Sequence, residues 1–85
     1  MAYRVQFLRS AKRELGDLPP PIRRRVTTAV NALSGDPRPP GAKLLSGADR
    51  RWRVRVGDYR ILYRINDDMV EVLVIRVRHR SDAYR

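Results

Sequence analysis

Cysteine is absent from this chain, and histidine occurs once, as His79. Disulfides and thiolate ligands are thereby excluded, and one imidazole does not build a zinc site. No metal and no cofactor is expected. Lysine is almost missing too: of 19 lysine and arginine residues, only Lys12 and Lys43 are lysine. Asp and Glu total 9, so the formal net charge is +10. No apolar run approaches the roughly 18 residues that a membrane span requires. The opening MAYRVQFLRS alternates like a strand and lacks a signal peptide's apolar centre. A membrane role is not expected, and a cysteine-free chain suits a reducing cytoplasm.

What is present must therefore hold the fold by apolar burial. The 85 residues read as a single domain over 1–85, near the size below which a core needs staples, and a hydrophobic content of 42% allows one. A charge of +10 favours polyanionic partners, either nucleic acid or an acidic protein. An arginine-rich coding bias would raise the arginine count everywhere, but it does not say where the arginines stand.

Tyr3, Val5 and Phe7 alternate with Arg4 and Gln6, the pattern of a first strand. Ser10 is placed to cap a short helix over Ala11–Leu18, with Ala11, Leu15 and Leu18 on one face. Pro19-Pro20-Pro21 stops it, and a second helix is expected over Pro21–Ser34. Its apolar stripe is Ile22, Val26, Ala29, Val30 and Leu33, while Arg23, Arg24 and Arg25 mostly point away. Gly35–Gly47 is rich in proline and glycine and reads as loop, anchored by Leu44 or Leu45. Strands follow over Arg51–Val56, Tyr59–Asn66 and Met69–Arg78, with turns at Gly57-Asp58 and Asp67-Asp68. The fold class is α+β: a strand, a helical hairpin and a three-strand antiparallel meander. The helices cover one face of a four-stranded, mostly antiparallel sheet.

The segment RRWRVRVGDYR alternates arginine with apolar residues, and register sorts them. A two-residue Gly57-Asp58 loop sets Val56 against Tyr59, Arg55 against Arg60, Val54 against Ile61, Arg53 against Leu62 and Trp52 against Tyr63. Directly opposed residues share a face. One side then carries Trp52, Val54, Val56, Tyr59, Ile61 and Tyr63; the other carries Arg51, Arg53, Arg55, Arg60, Leu62 and Arg64. A two-residue Asp67-Asp68 loop would likewise bring Glu71 to Arg64 and set Arg60 against Ile75. Like charges opposed across strands cost roughly 0.2–1 kcal/mol. The Arg55–Arg60 pair is thus either a tolerated, solvated sheet face or an anion site, and charge alone does not decide between them.

The ending VIRVRHRSDAYR adds Arg76, Arg78, His79, Arg80 and Tyr84. Arginine grips phosphate bidentately, tyrosine stacks on bases, and His79 has the one side chain whose unperturbed titration lies near neutrality. Ser10, Ser34, Ser46 and Ser81 lack the glycine-framed turn of a nucleophile, and Gly47 and Gly57 are turn glycines. An enzyme built here works with guanidiniums, a phenol and at most one imidazole.

Over nearly its whole length, and most specifically in KLLSG, WRVRVGDYRILYRI and VLVIRVRHRSDAYR, the chain resembles the RelE/ParE superfamily of bacterial toxin–antitoxin toxins. The resemblance implies a ribosome-dependent endoribonuclease that cuts mRNA in the A site. It carries catalytic roles onto Arg55, Arg60, Arg80 and Tyr84, with Arg51, Arg53, Arg78 and His79 in RNA binding. Two positions before the turn that are lysine in the best-known member are arginine here, Arg53 and Arg55, so proton donation from them is harder. The gap between Arg80 and Tyr84 is also shorter. The implied partners are a cognate antitoxin with a partly acidic amphipathic segment, the ribosome with its mRNA, and operator DNA through the toxin–antitoxin complex. Two alternatives stand beside this reading: a ParE-like toxin that inhibits DNA gyrase, and a non-catalytic nucleic-acid-binding module.

Overall fold

In a computed structural model, residues 2–47 and 49–81 are described. The elements are β1 (Arg4–Phe7), α1 (Arg9–Gly16), α2 (Pro20–Ala32), β2 (Lys43–Leu44), β3 (Trp52–Val56), β4 (Tyr59–Asn66) and β5 (Glu71–His79). The strands form one sheet in the order β1-β5-β4-β3-β2. Only the β1–β5 pairing is parallel. The α+β arrangement is as expected, with one addition: Lys43–Leu44, read as loop, pairs with Arg53 and Trp52 as a fifth, edge strand. Leu45, whose N–H donates to the Arg51 carbonyl at 2.8 Å, is the half-buried leucine of that segment, and Leu44 stays 44% exposed.

The helical hairpin starts and stops where backbone chemistry dictates. Leu8 caps α1 instead of Ser10, and the Lys12 N–H closes the first turn on the Leu8 carbonyl at 2.9 Å. At α2 the proline run supplies residues whose missing N–H would have no helical acceptor anyway. Arg23 reaches back to the Gly16 carbonyl (3.2 Å), satisfying an open acceptor at the end of α1. Of the expected stripe, Val26, Val30 and Leu33 are at most 1% exposed and pack with Ala11, Ile61, Tyr63, Val72, Val74 and Val77, while Ile22 and Ala29 lie half-buried against them.

The first hairpin has the expected register at every position, from Trp52↔Tyr63 to Val56↔Tyr59. Gly57 (φ 57°) opens its loop and Asp58 keeps a negative φ, the pattern of a type II′ turn. The second hairpin differs. Asn66 pairs with Glu71, so the loop holds four residues, Asp67–Val70, instead of two. The Asn66 side chain accepts the Met69 N–H at 3.0 Å, and Val70 takes the left-handed conformation (φ 53°) that its branched side chain resists. Arg64 therefore lies opposite Leu73 and not beside Glu71, and Arg60 faces Arg78, not Ile75. The pairing shifts again between Leu62 and Tyr63, leaving Ile75 as the extra residue of a bulge.

One exposed cluster ties the turns together. Arg38 grips Asp67 with both terminal nitrogens (2.8 and 3.3 Å) and lies over the Trp52 ring, while the Tyr3 hydroxyl donates to the same carboxylate at 2.7 Å. The hydrogen bonds from Arg38 and Tyr3 hold the Asp67 carboxyl below its ordinary titration range. Burial drives the Tyr63 phenol up to about 12, so its hydroxyl stays protonated and donates to the Pro37 carbonyl at 2.7 Å. Because the Asp67 shift is downward, its stabilisation is complete above the unfolded carboxyl value near ~3.9 and disappears as pH falls through the lower folded value. Asp67→Asn should lower the urea midpoint at neutral pH, and the gap to the native chain should close as pH drops below about 4. A gap that stays constant down that range would contradict this origin.

Candidate functional site

The alternation of β3 and β4 sends Trp52, Val54, Ile61 and Tyr63 toward the helices and Arg53, Arg55, Leu62 and Arg64 to the other face. No described helix covers that second face. The bulge carries the same sorting into β5: it lets Val72 and Val74 point inward, then returns Val77 inward while Arg76 and Arg78 point out. Arg55, Arg60 and Arg78 consequently form a row across three strands, with Arg53, Leu62 and Arg76 beside it.

At the turn end of this face lies a cleft of about 480 Å³ lined by Arg55, Gly57, Asp58, Tyr59, Arg60, Arg80 and Ser81. The Arg80 N–H donates to the Asp58 carbonyl at 2.7 Å, which pins the chain after β5 against the β3–β4 turn. That bond brings Arg80 beside Arg55 and Arg60, although the three are supplied by β3, β4 and the segment after β5. Among the described lining residues Asp58 is the one carboxylate. From the opposite side, the Arg25 guanidinium packs against the turn: a Cβ added to Gly57 would lie 3.4 Å from Arg25 Nη1. A glycine with positive φ is thus required there for conformation, and the space its missing Cβ would take is bordered by a cation.

The expected site residues do not all meet in this cleft. Arg55, Arg60 and Arg80 do. Tyr84 lies outside the described residues. Arg53 is one step further along β3, opposite Leu62. Arg51 pairs with Asp49 at 3.2 Å and borders a separate depression with Leu45, Ser46 and Leu62. Asp49 also lies 3.6 Å from Arg64, so Arg64 does have a carboxylate neighbour, while Glu71 is bound to Arg4. Arg78 is on the open face but joined to Glu14. His79 is on the helix side by register, where its ring meets Tyr59 edge-on at 5.1 Å. The Ser81 N–H and hydroxyl lie 3.2 and 2.8 Å from His79 Nδ1, which ties the ring to the segment after β5.

Two contributors escaped the sequence reading. Arg25 looked like a solvated helix residue, and its approach to Gly57 depends on how α2 lies over the sheet. Glu14 carried no motif at all. Chemically, three guanidiniums converging on one concavity suit an anion with several oxygens. Opposed guanidiniums also carry a cost, which sets up a trade. Arg55→Thr should raise stability by about 0.2–1 kcal/mol in urea unfolding, by removing a like-charge pair. The same variant should bind polyanions more weakly in a fluorescence titration. A loss of stability would show that the Arg55–Arg60 contact is not repulsive.

Fold and cleft together define a small, basic α+β protein with an arginine cluster at one end of an open sheet. The family model for the ParE toxin of type II toxin–antitoxin systems (parDE) matches residues 5–84. Toxin RelG of Mycobacterium tuberculosis is 41% identical over 86 residues, spanning 100% of this chain and 99% of that one. The toxin–antitoxin complex RelBE2 of M. tuberculosis contains a chain that superposes with a TM-score of 0.84 at 37% identity, covering 96% of this chain and 95% of its own length. In the archaeal RelE–RelB complex of Pyrococcus horikoshii the TM-score is 0.83 at 27% identity, with 94% and 97% covered. The chain belongs to the RelE/ParE superfamily of type II toxin–antitoxin toxins.

Proposed function

We propose that this toxin is a ribosome-dependent endoribonuclease that cleaves mRNA in the A site and thereby stops translation in the cytoplasm. The convergence of Arg55, Arg60 and Arg80 on one cleft is the observation that supports this reading most directly. The reaction is a transesterification. The ribose 2′-oxygen attacks the adjacent phosphorus, the bond to the 5′-oxygen of the next nucleotide breaks, and the products are a 2′,3′-cyclic phosphate and a 5′-hydroxyl. Negative charge on the phosphoryl oxygens peaks in the pentacoordinate transition state, so guanidiniums aimed there stabilise it more than the ground state.

The 2′-hydroxyl proton must leave, and the 5′-oxygen must gain one. Guanidinium holds its proton too firmly to be a good partner for either transfer near neutrality. That task falls to Tyr84, to His79 or to groups of the ribosome. A site with strong electrostatics and a weak base depends on substrate positioning, which accounts for a requirement for the ribosome. Arg51, Arg53 and His79 contribute to RNA binding on this reading, whereas Arg78, expected among them from the resemblance, is joined to Glu14 and stands outside the cleft.

The solved complexes named above pair their toxins with RelB-type antitoxins. A cognate antitoxin is proposed for this chain as well, with a partly acidic amphipathic segment that offsets the +10 charge while burying apolar area. Through that complex the pair would reach operator DNA. The second reading, inhibition of DNA gyrase, is favoured by the ParE description of the matching family.

Primer extension on a message in a reconstituted translation mixture separates the readings. Cuts should require the ribosome and fall by about 10²–10³-fold in Arg60→Ala, with a comparable loss in Tyr84→Phe. Undiminished cleavage in both variants would overturn the site assignment. Inhibition of supercoiling without any cut would favour the gyrase reading.

A further inference from the structure

Arg78 presents a discrepancy between register and position. It lies directly opposite Arg60, on the same face of the sheet, and Arg60 lines the cleft while Arg78 does not. Arg76, two residues earlier on that face, is absent from the cleft as well. Both are turned toward Glu14 of α1: Arg76 Nη1 is 3.5 Å and Arg78 Nη1 3.6 Å from Glu14 Oε2. The other carboxylate oxygen, Oε1, accepts the Val77 N–H at 2.9 Å.

The fold explains why a carboxylate stands there. β1 pairs with β5 from Glu71 to Val74, so beyond Val74 that edge of β5 has no strand partner among the described residues. α1 crosses this open edge, held by Ala11, which is 0% exposed, and Glu14 follows on the same helix. The Glu14 side chain is 19% exposed, against 42% and 39% for the two arginines, so it is the fixed member of the group. Its position lies across β5 from β4, on the side away from Arg60.

We propose that Glu14 is a positioning residue that draws Arg76 and Arg78 to the far edge of β5 and so limits how many guanidiniums an RNA meets in the cleft. The inference rests on the cleft being an RNA site and adds a regulation of that site. With Glu14 intact, the phosphates contact the Arg55–Arg60–Arg80 group. Once its charge is lost, Arg78 is released toward Arg60 and becomes a further phosphate ligand.

Binding of a 2′-O-methyl oligouridylate to the full chain tests this, since that probe has no 2′-hydroxyl and cannot be cut. Glu14→Gln keeps an acceptor for the Val77 N–H and removes only the charge. The slope of log K against log salt should steepen by about 0.7 for each guanidinium released to a phosphate. Asp17→Asn makes the same change in net charge at the end of the same helix and should leave the slope unaltered. Arg78→Ala should leave the native slope unchanged, yet cancel most of the steepening when combined with Glu14→Gln. An unchanged slope in Glu14→Gln overturns the proposal. A slope already reduced by Arg78→Ala in the native background overturns it too, and that variant remains readable even where Glu14→Gln folds poorly. Cleavage is not measured here, so a toxin that never cuts would defeat the nuclease reading while the slopes still judge Glu14.

Discussion

Ile75 is the residue on which the rest of the surface depends. The stretch VLVIRVR needs Val72, Val74 and Val77 to face inward, but Val74 and Val77 are an odd number of residues apart, so strict alternation cannot place both on one face. Inserting Ile75 as a bulge resolves the conflict, and all three valines are at most 3% exposed. Without it, Arg76 and Arg78 would turn into an apolar core with no carboxylate there to receive them, a burial cost far larger than that of a local bulge. The bulge thus preserves the core and, as a direct consequence, completes the arginine row on the open face.

The two faces of the sheet then obey opposite rules. On the helix side, apolar side chains interlock and the buried Tyr63 hydroxyl is hydrogen-bonded. On the open side cations accumulate, and the acids near them are few and placed at the margins: Asp49 beside Arg51 and Arg64, Glu71 beside Arg4, Glu14 beside Arg76 and Arg78. The described acids leave the turn end of the sheet, around Arg55 and Arg80, with only Asp58 in the cleft. Positive potential is concentrated by where the counter-charges stand as much as by where the arginines do.

The sequence was legible where local chemistry alone decides structure. Gly57-Asp58 permits a two-residue loop, that loop fixes the register, and every pair of the first hairpin follows. At Asp67-Asp68 the same logic failed because a side chain intervened. Asn66 takes up the Met69 N–H, the loop grows to four residues, and Val70 accepts a left-handed conformation that nothing in its identity announces. The Lys43–Leu44 strand was hidden in a proline- and glycine-rich segment, since its pairing is supplied by β3 and not by its own pattern. Of the residues lining the cleft, Arg55, Arg60 and Arg80 could be singled out from the sequence, whereas Arg25 and Glu14 make contacts across the fold that carry no sequence period.

On the proposed reading, those distant contacts also bear on the chemistry. An arginine cluster without a built-in base binds any phosphate chain, so affinity by itself does not select the scissile bond. Discrimination must come from geometry, meaning which phosphate is gripped and whether its 2′-oxygen lies in line with the leaving 5′-oxygen. Adding cations to the cleft would strengthen ground-state binding and transition-state binding together, which tightens the complex without speeding the chemical step. A carboxylate that holds two arginines at the sheet edge restrains such uniform binding. It leaves the cleft with a few guanidiniums whose directions are set by β3, by β4 and by the Arg80–Asp58 hydrogen bond.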